Sequence, residues 1–367
     1  MVKMLDLKKQ YISIKDEIDD AIASVIADSA FVSGKYVSKF ESEFADYVGV
    51  EYCVGVGNGT DAIEIALEAA NLPKGSEVIV PGNSFIASSE AVSRSGLRVV
   101  FCDVDPKTYI ICGKSLRDKI TSNTSAIIAV HLYGHPCDMD DILGVAKEHD
   151  LFVIEDCAQA HGATFKGSPV GSIGDIGTFS FYPGKNLGAY GDAGAITTNN
   201  KKLSIKARMI ANHGRVKKYD HEFEGRNSRL DGLQAAILSV KLKHIRDWTT
   251  RRVEVADFYL SNLKDIGDLI LPERKAWAYQ VYHLFVVRTS QQVELKKFLV
   301  ENGISVGNHY PIALPKLDAY KYLDQGCEKT NYNDHDKDLL SLPIGEHMTD
   351  EDLNYVVTKI KEFYSTL

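Results

Sequence analysis

Short apolar segments alternate with amphipathic segments through the middle of this chain, and this alternation constrains its fold more than any other feature. The clearest apolar segments are EVIVPG (77–82), RVVFCDVD (98–105), AIIAVHLYG (126–134) and LFVIEDCA (151–158). A helical segment, MDDILGVAKEHD (139–150), separates the last two. Strands separated by helices predict a mostly parallel sheet with helices on both faces.

Two later apolar segments, GTFSFYP (177–183) and GAITTN (194–199), have no helix between them. Neighbouring parallel strands need a crossover connection, usually a helix, so we expect one of these two strands to run antiparallel. The predicted fold is therefore an α/β structure with a mostly parallel, mixed sheet that helices flank.

Helical periodicity is clearest in three other places. The first pattern runs from Tyr11 to Ala27, with an apolar face of Ile14, Ile18, Ile22, Val25 and Ile26. The second has the apolar residues Val37, Phe40, Phe44, Tyr47 and Val48. The third, one long helix or two joined helices, runs from Arg229 to about Leu263.

The last third of the chain predicts a smaller α+β domain. It contains a strand (YQVYHLFVVRT), a helix (QQVELKKFLVENGI) and a short strand near Val306. A final helix begins at Thr349, where Asp352 gives a capping pattern. We therefore predict a large domain over 1–245 and a small C-terminal domain over 246–367, with the N-terminal helix able to pack on the small domain.

Composition excludes several classes of protein. The net charge of -8 argues against a nucleic-acid binder. Six cysteines without C-x-x-C spacing favour reduced thiols in the cytoplasm. No apolar segment is long enough to span a membrane, and the N-terminus lacks the apolar core of a signal peptide. We expect a cytoplasmic protein whose partners are neither nucleic acid nor membrane.

The segment VGVGNGTDAIEIAL, from Val54, reads as a strand, a glycine turn and a helix that begins around Thr60. Free backbone N–H groups at a helix start bind anions, and glycine lets a phosphate approach. The spacing G-x-G-x-G is one residue short of the dinucleotide motif G-x-G-x-x-G. A phosphate site, a plain strand–helix turn and, more weakly, a nicotinamide dehydrogenase remain open.

The segment VIEDCAQAHGA (153–163) places two acids, Glu155 and Asp156, at the end of an apolar strand. A carboxylate there requires a positive partner or hydrogen bonds. Asp156 suits a protonated ring nitrogen, an arginine or a metal, or it caps the following turn. His161 lies nearby, but no second carboxylate–histidine set supports a metal site, and we expect none.

The segment FSFYPGKNLGAYGDAG (179–194) contains a single lysine, Lys185, among glycines. A P-loop is excluded because Asn186 stands where Ser or Thr is required. The flanking segments read as core strands, which makes a surface lysine a poor interpretation. A lysine in a mostly buried turn loses its proton more easily, and a neutral amine is what Schiff-base chemistry requires.

The segment GRNSRLDGLQAAIL, from Gly225, places Asn227 and Ser228 before a helix. By itself this predicts ordinary helix capping. Pyridoxal phosphate, however, needs a lysine for its aldehyde, an acid for its ring nitrogen, a phosphate site and a partner for its ring face. The four segments together supply such a set.

With these residues assembled, the chain resembles the DegT/StrS family of pyridoxal phosphate-dependent nucleotide-sugar aminotransferases, which have the aspartate-aminotransferase fold (fold type I). The resemblance covers nearly the whole chain. It is carried by the motifs DLKKQY, GNGTDA, EDCAQAHGA, SFYPGKNLGAYGD, NSRLDGLQAAIL and HYPIAL. Family members that are dehydratases have histidine in place of the lysine, so Lys185 argues against that branch.

The resemblance implies that Lys185 forms the Schiff base that anchors the cofactor and that Asp156 pairs with its protonated ring nitrogen. The other implied cofactor contacts are Gly59, Thr60, Asp61 and Ser180 at the phosphate, Phe85 on the ring face, Gln159 at the ring oxygen, and Asn227 reaching the phosphate from a second subunit. Active sites shared in this way imply a homodimer. The amine is carried on the cofactor as pyridoxamine phosphate.

For the substrate, the resemblance implies glutamate as amino donor and a nucleotide-linked keto sugar as acceptor. It is greatest to enzymes that act on dTDP-3-keto-6-deoxyhexoses and make 3-amino-3,6-dideoxy sugars for surface polysaccharides such as lipopolysaccharide. The implied substrate contacts are His161, Tyr182, Lys217, Lys218, Arg252, His309 and Tyr310. A UDP-linked 3-keto sugar, a 4-keto sugar and a non-catalytic cofactor-binding regulator remain as alternatives.

Overall fold

A computed structural model describes residues 1–217, 219–326 and 328–367. Within these ranges a seven-stranded sheet forms the centre of the protein, with strand order β1-β9-β8-β5-β4-β2-β3. The strands are β1 (Tyr52–Val56), β2 (Glu77–Pro81), β3 (Arg98–Cys102), β4 (Thr124–Val130), β5 (Phe152–Asp156), β6 (Thr164–Phe165), β7 (Ser168–Pro169), β8 (Ile176–Ser180), β9 (Gly194–Thr198), β10 (Arg215–Lys217), β11 (Asp220–His221), β12 (Ala278–Tyr279), β13 (Phe285–Arg288) and β14 (Leu339–Leu342).

Helices cover the central sheet and build the C-terminal region. The α-helices are α1 (Leu7–Ser13), α2 (Lys15–Ala27), α3 (Lys35–Val48), α4 (Gly59–Ala69), α5 (Ala87–Arg94), α6 (Gly113–Asp118), α7 (Met139–His149), α8 (Lys201–Ala211), α9 (Gly232–Leu242), α10 (Ile245–Asn262), α11 (Gln292–Glu301), α12 (Asn331–His335) and α13 (Asp350–Ser365). Short 3-10 helices cover Leu132–Gly134, Leu314–Lys316, Asp318–Leu323 and Asp336–Asp338.

The predicted mixed sheet is confirmed. Strands β3, β2, β4, β5 and β8 pair in parallel, whereas β9 runs antiparallel to both β8 and β1. Alternate residues of one strand enter cores on opposite faces: in β2, Val78 and Val80 lie in one apolar cluster and Ile79 in another. Burial on both faces explains why the parallel strands read as continuous apolar runs.

The N-terminal helix differs from its predicted form. The predicted single helix is interrupted at Ile14, which separates α1 from α2. Ile14 and Ile18 pack against Ile237 of α9. Ile26, which the periodicity places on the same apolar face, is 54% exposed. The segment up to Gln10 contacts the C-terminal region, for example through the bonds of Gln10 to Glu346 and of Lys9 to His347.

The C-terminal region has its own apolar cluster, to which α10, β13, β14, α11 and α13 contribute. The capping box at the start of α13 forms as predicted, because the Thr349 hydroxyl accepts from the Asp352 N–H and the Asp352 carboxylate accepts from the Thr349 N–H. The short strand expected near Val306 is replaced by single bridges on either side of it, Val2 with Ile304 and Gly307 with Ser341.

The predicted boundary between 245 and 246 coincides with the start of α10 at Ile245, but the C-terminal region does not stay apart from the sheet. Leu314, Tyr320 and Leu339 pack in the large apolar cluster on the sheet. The division into two domains therefore stays a prediction. No helix in the described parts of the chain is both long and apolar enough to cross a membrane.

Candidate active site

A cavity of about 680 Å³ lies beyond the carboxyl ends of β1, β5 and β8, at the edge where open α/β sheets bind ligands. It lies between the sheet and the C-terminal region. Its lining includes predicted residues from four of the motifs, together with Phe85 and Arg252 from outside them: Gly59, Thr60, Phe85, Asp156, Gln159, Ser180, Tyr182, Lys185, Arg252, His309 and Tyr310. Residues far apart in sequence therefore meet in one site, as the strand pattern predicts.

Lys185 projects from a tight turn between β8 and β9. The turn is closed by the Lys185 N–H donating to the Tyr182 carbonyl at 2.8 Å. A Cβ on Gly188 would lie 2.3 Å from the Pro183 carbonyl oxygen, so this compact turn requires glycine there. Burial lowers the pKa of the Lys185 amine to about 8, although the charge of Asp156 opposes the shift. The turn thus favours a readily deprotonated amine.

Asp156 ends β5, and its carboxylate is held from two sides. The Ser88 hydroxyl donates to one oxygen at 2.7 Å, and the Ala158 N–H donates to the other at 3.1 Å. The bond to Ala158 is the local turn cap that the sequence left open as an alternative. The carboxylate still lines the cavity and acts electrostatically on Lys185, so capping is only part of its surroundings.

Glu155, the neighbouring acid, is fully buried and points away from Asp156 because successive side chains of a strand face opposite sides. It accepts hydrogen bonds from His131 Nε2 and from the N–H groups of Gly171, Ile173 and Gly174. Burial alone would raise the pKa of Glu155, but these donors outweigh burial and hold it below its usual value.

His131, Glu155 and Cys157 bring potential metal ligands close together. Their capacity is already used, because the second ring nitrogen of His131 accepts from the Cys137 N–H at 2.9 Å and the Glu155 oxygens accept four donors. We interpret the group as a hydrogen-bonded support beneath β5. His161, the histidine considered for a metal, does not belong to it.

A helix start forms one wall of the cavity. Asn58 caps α4 by accepting from the Asp61 N–H at 2.8 Å, and Gly59 and Thr60 open the first turn. A Cβ on Gly59 would lie 2.6 Å from the Ser180 Cβ, so only glycine lets β8 approach this closely. The Asp61 N–H is already bonded and Asp61 does not line the cavity, so the predicted backbone contact by Asp61 is not supported.

Aromatic side chains form the opposite wall. The ring of Phe85 is 53% exposed, and its centroid lies 5.9 Å from that of Tyr310. Gln159 is oriented by two bonds: its Nε2 donates to the Tyr310 hydroxyl at 3.0 Å, and its Oε1 accepts from the Tyr133 N–H at 2.8 Å. His309 is fixed by Ser341, at 2.8 Å.

Two of the predicted substrate residues lie differently from expectation. His161 is fully buried between the rings of Phe179 and Phe181 and does not line the cavity. Burial, reinforced by the charge of Lys185, lowers its pKa to about 3. The predicted substrate contact by His161 therefore has no support in this arrangement and stays a prediction. Arg252 does line the cavity, but it is buried and already pairs with Glu346 at 3.4 Å.

The remaining predicted residues lie elsewhere. Lys217 is exposed on the β10–β11 hairpin, and Lys218 lies outside the described residues. Asn227 is exposed, forms a bridge with Asn212 and is not in the lining of the cavity. Neither Asn227 nor Ser228 caps α9, because Asp231 holds that position. Ser228 instead accepts from the Gly57 N–H at 3.0 Å, which supports the glycine turn.

The sequence reasoning missed several lining residues, among them Met4, Leu5, Ser88 and His283. Asn186 fixes the orientation of His283, because its amide oxygen lies 3.1 Å from His283 Nδ1 while its amide nitrogen donates to Val281. His283 therefore carries its proton on Nδ1 and presents Nε2 as an acceptor. Spacing rules could not find these residues, although DLKKQY was a signal for the N-terminal segment.

The residues present fit pyridoxal phosphate. A readily deprotonated lysine lies near a carboxylate, a helix start with a closely packed glycine offers an anion site, and the half-exposed ring of Phe85 lines the cavity. Lys185 and Asp156 would hold the reactive ring, Gly59, Thr60 and Ser180 the phosphate, and Phe85 the ring face. When bound, the cofactor supplies an electron sink for the α-carbon of an amino donor.

Comparison with known proteins agrees with this arrangement. Residues 12–361 match the DegT/DnrJ/EryC1/StrS aminotransferase family. The chain is 43% identical over 368 residues to the pleiotropic regulatory protein of Geobacillus stearothermophilus, covering 99% of this chain and 98% of that protein. It is 43% identical over 363 residues to the dTDP-3-amino-3,6-dideoxy-alpha-D-galactopyranose transaminase of Aneurinibacillus thermoaerophilus, covering 99% of each.

Among solved structures, S. venezuelae DesV in complex with a ketimine intermediate is 38% identical and superposes with a TM-score of 0.97, covering 100% of this chain and 99% of that chain. A match of this extent includes every motif from which the site was built. The chain belongs to the DegT/DnrJ/EryC1/StrS aminotransferase family and is a pyridoxal phosphate-dependent sugar aminotransferase.

Proposed function

We propose that the protein transfers an amino group from glutamate to a nucleotide-linked keto sugar, with dTDP-3-keto-6-deoxyhexose as the preferred acceptor and dTDP-3-amino-3,6-dideoxyhexose as the product. The main support for this reaction type is that Lys185, Asp156 and the start of α4 line the same cavity. Such a product would serve surface polysaccharide synthesis.

Each side chain has a task that its surroundings support. Asp156, held by Ser88 and Ala158, keeps a proton on the ring nitrogen, which maintains the ring's capacity to accept electrons. Lys185, released when the amino donor binds, takes the proton from the donor's α-carbon as a general base. Its buried turn favours the neutral amine that this requires. The same lysine returns a proton in the second half-reaction. Because the amine would stay on the cofactor between the two half-reactions, we expect ping-pong kinetics.

The sugar assignment rests on relatives and on the character of the cavity. A relative 43% identical to the chain is named for a dTDP-linked 3-amino-3,6-dideoxy sugar, and one 39% identical is named for a UDP-linked 3-keto sugar. Besides Phe85, which we assign to the cofactor, the apolar side chains of Leu5 and Ile344 line the cavity, which suits a deoxy sugar. A UDP-linked 3-keto sugar is therefore the second candidate.

The test is a panel of 3-keto and 4-keto sugars on dTDP and UDP, with glutamate as donor and mass detection of the amino sugar. We expect the highest kcat/KM for the dTDP-linked 3-keto-6-deoxy sugar. Exclusive turnover of a 4-keto sugar would refute this substrate, and exclusive turnover of UDP sugars would move the assignment to the second candidate.

A regulatory role is a separate candidate, because one relative is named as a pleiotropic regulatory protein. The two functions differ in their response to an amino donor. We expect the visible absorption of the purified protein to bleach when glutamate is added, and the Lys185→Ala variant to lack the band of the lysine-bound cofactor. A band that glutamate does not change would favour a regulator.

We further propose a homodimer in which Asn227 completes the partner's phosphate site, since Asn227 is exposed and absent from the cavity of its own chain. Mixing the Lys185→Ala and Asn227→Ala variants provides a test. In a hybrid dimer, both substitutions fall in one site, and the other site has an intact Lys185 from one chain and an intact Asn227 from its partner. Activity should therefore return on mixing. No recovery, with hybrid dimers demonstrated by mass, would contradict a shared site.

A further inference from the structure

The motif DLKKQY (6–11) has no role in the chemistry above, yet the N-terminal segment reaches the active site. Met4 and Leu5 line the same cavity as Lys185. A Cβ placed on Gly184 would lie 3.6 Å from Leu5 Cδ2. Leu5 therefore packs against the residue that immediately precedes Lys185, and the turn that carries the amine has an apolar neighbour from the far end of the sequence.

The segment before α1 is anchored in both halves of the molecule. Val2 lies in the apolar cluster of the C-terminal region, and its backbone bonds to Gly303 and Ser305 at 2.9 Å each. Met4 packs against the large cluster on the sheet. Leu5 follows directly, so its position over the lysine turn is set by contacts on both sides of the cavity.

Three residues tie the helix that follows to the C-terminal region; we call them the latch (Gln10, Glu346 and Arg252). Gln10 Nε2 donates to Glu346 Oε1 at 2.6 Å, and Arg252 Nη2 lies 3.4 Å from Glu346 Oε2. Gln10 and Arg252 are buried. Buried polar bonds are directional and costly to break, which makes them suited to fixing one segment against another.

The lower part of the motif contributes to the same attachment. Asp6 starts α1 by accepting from the Lys9 N–H at 3.1 Å, and the Lys9 amine donates to the His347 carbonyl at 2.7 Å. His347 Nε2 bonds in turn to the Lys3 carbonyl at 2.9 Å. The bonds of Asp6, Lys9 and Gln10 therefore all help to position Met4 and Leu5, which precede α1.

We propose that Leu5 is a positioning residue that covers the Lys185 turn with an apolar surface and keeps water and small nucleophiles from the lysine-bound cofactor, and that the latch holds it there. This inference goes beyond the proposed function, because it depends on the cofactor and not on the identity of the sugar. It gives DLKKQY a physical role in the active site.

The test measures access to the holoenzyme with hydroxylamine, which displaces Lys185 from the cofactor and removes the visible band. We expect Leu5→Ala to raise the second-order rate of band loss about tenfold, as the apolar cover is removed. Ile12→Ala, an equal truncation at an exposed position of α1, should leave the rate unchanged. Leu5→Met should restore the wild-type rate, which a non-specific loss of structure would not allow.

The latch is tested separately by hydrogen exchange. We expect Gln10→Ala to accelerate exchange of the amides of residues 2–6 and to raise the hydroxylamine rate, whereas Lys8→Ala, at an exposed neighbouring position, should change neither. Equal hydroxylamine rates for Leu5→Ala and Ile12→Ala would overturn the role of Leu5. Unchanged exchange in Gln10→Ala would overturn the latch. Neither readout requires the sugar substrate, so both stand apart from the panel that tests the proposed function.

Discussion

Replacing Gly59 with alanine should obstruct the helix start where we expect the cofactor phosphate to bind. The added Cβ would lie 2.6 Å from Ser180 Cβ and 3.1 Å from both Ser180 Cα and Oγ. Carbon atoms pack best at about 3.5–4.0 Å, so the shortfall is about 1 Å. Ser180 ends β8, whose other residues are buried, so relief must come from moving β8 and α4 apart at the proposed phosphate site.

Overpacking of this kind typically costs about 1–3 kcal/mol. If that cost falls on the cofactor-bound state, affinity for pyridoxal phosphate should fall roughly 5- to 150-fold. The assay is titration of the cofactor-free protein with pyridoxal phosphate, followed by the visible band of the lysine-bound form. Thermal unfolding of the cofactor-free protein measures any general loss of stability.

Gly144→Ala is the matched control, because Gly144 lies within α7 and a Cβ there meets nothing within 4 Å. It should leave cofactor affinity unchanged and stabilise the fold by about 0.5–1 kcal/mol, as expected for alanine in a helix interior. The reasoning on the phosphate site would be refuted if Gly59→Ala bound the cofactor within twofold of the wild type.

Three further outcomes can be checked by unfolding measurements. Because the pKa of Lys185 is lowered to about 8 in the folded state, the unfolded chain binds more protons than the folded chain between pH 8 and about 10.5. The free energy of unfolding of the cofactor-free wild type, relative to that of Lys185→Met, should therefore rise over that window. A difference in free energy that does not change with pH would contradict a buried amine. Glu155→Leu should lower the free energy of unfolding in urea by about 3–5 kcal/mol, because it leaves His131 and three backbone N–H groups unpaired. A decrease under 1 kcal/mol would show that the loop after β7 repacks. Thr349→Ala should cost about 1 kcal/mol through loss of the α13 cap, and an unchanged unfolding midpoint would mean that this helix end frays in the wild type.

Much of the site could be predicted because its chemistry is local in sequence. Lys185 lies in a turn between two core strands, and Asp156 ends a third, so the positions of both follow from strand pattern alone. The glycine turn before α4 was readable for the same reason: a strand, a turn and a capped helix start are adjacent in the chain. The antiparallel strand β9 followed from the missing helix before it.

Other contacts could not be predicted because they depend on how distant elements approach each other. Ser88, in the first turn of α5, reaches the end of β5 at Asp156 across 68 residues of sequence. Leu5 reaches the lysine turn through anchors near Gly303 and Glu346. His161 belongs to the motif EDCAQAHGA, yet its ring packs in the core beside Phe179 and Phe181. Whether a side chain is buried cannot be predicted from the identity of its neighbours in the sequence.

The sequence by itself determined the order of strands and helices, the lysine, the aspartate and the glycine turn, because periodicity and local backbone requirements act over a few residues. Only the tertiary structure decided that Glu155 faces away from the site, that Arg252 is already paired, and that Leu5 packs against the lysine turn. Those outcomes depend on burial and on pairing across long sequence distances, since the energy of a charged or apolar side chain is set by everything packed around it.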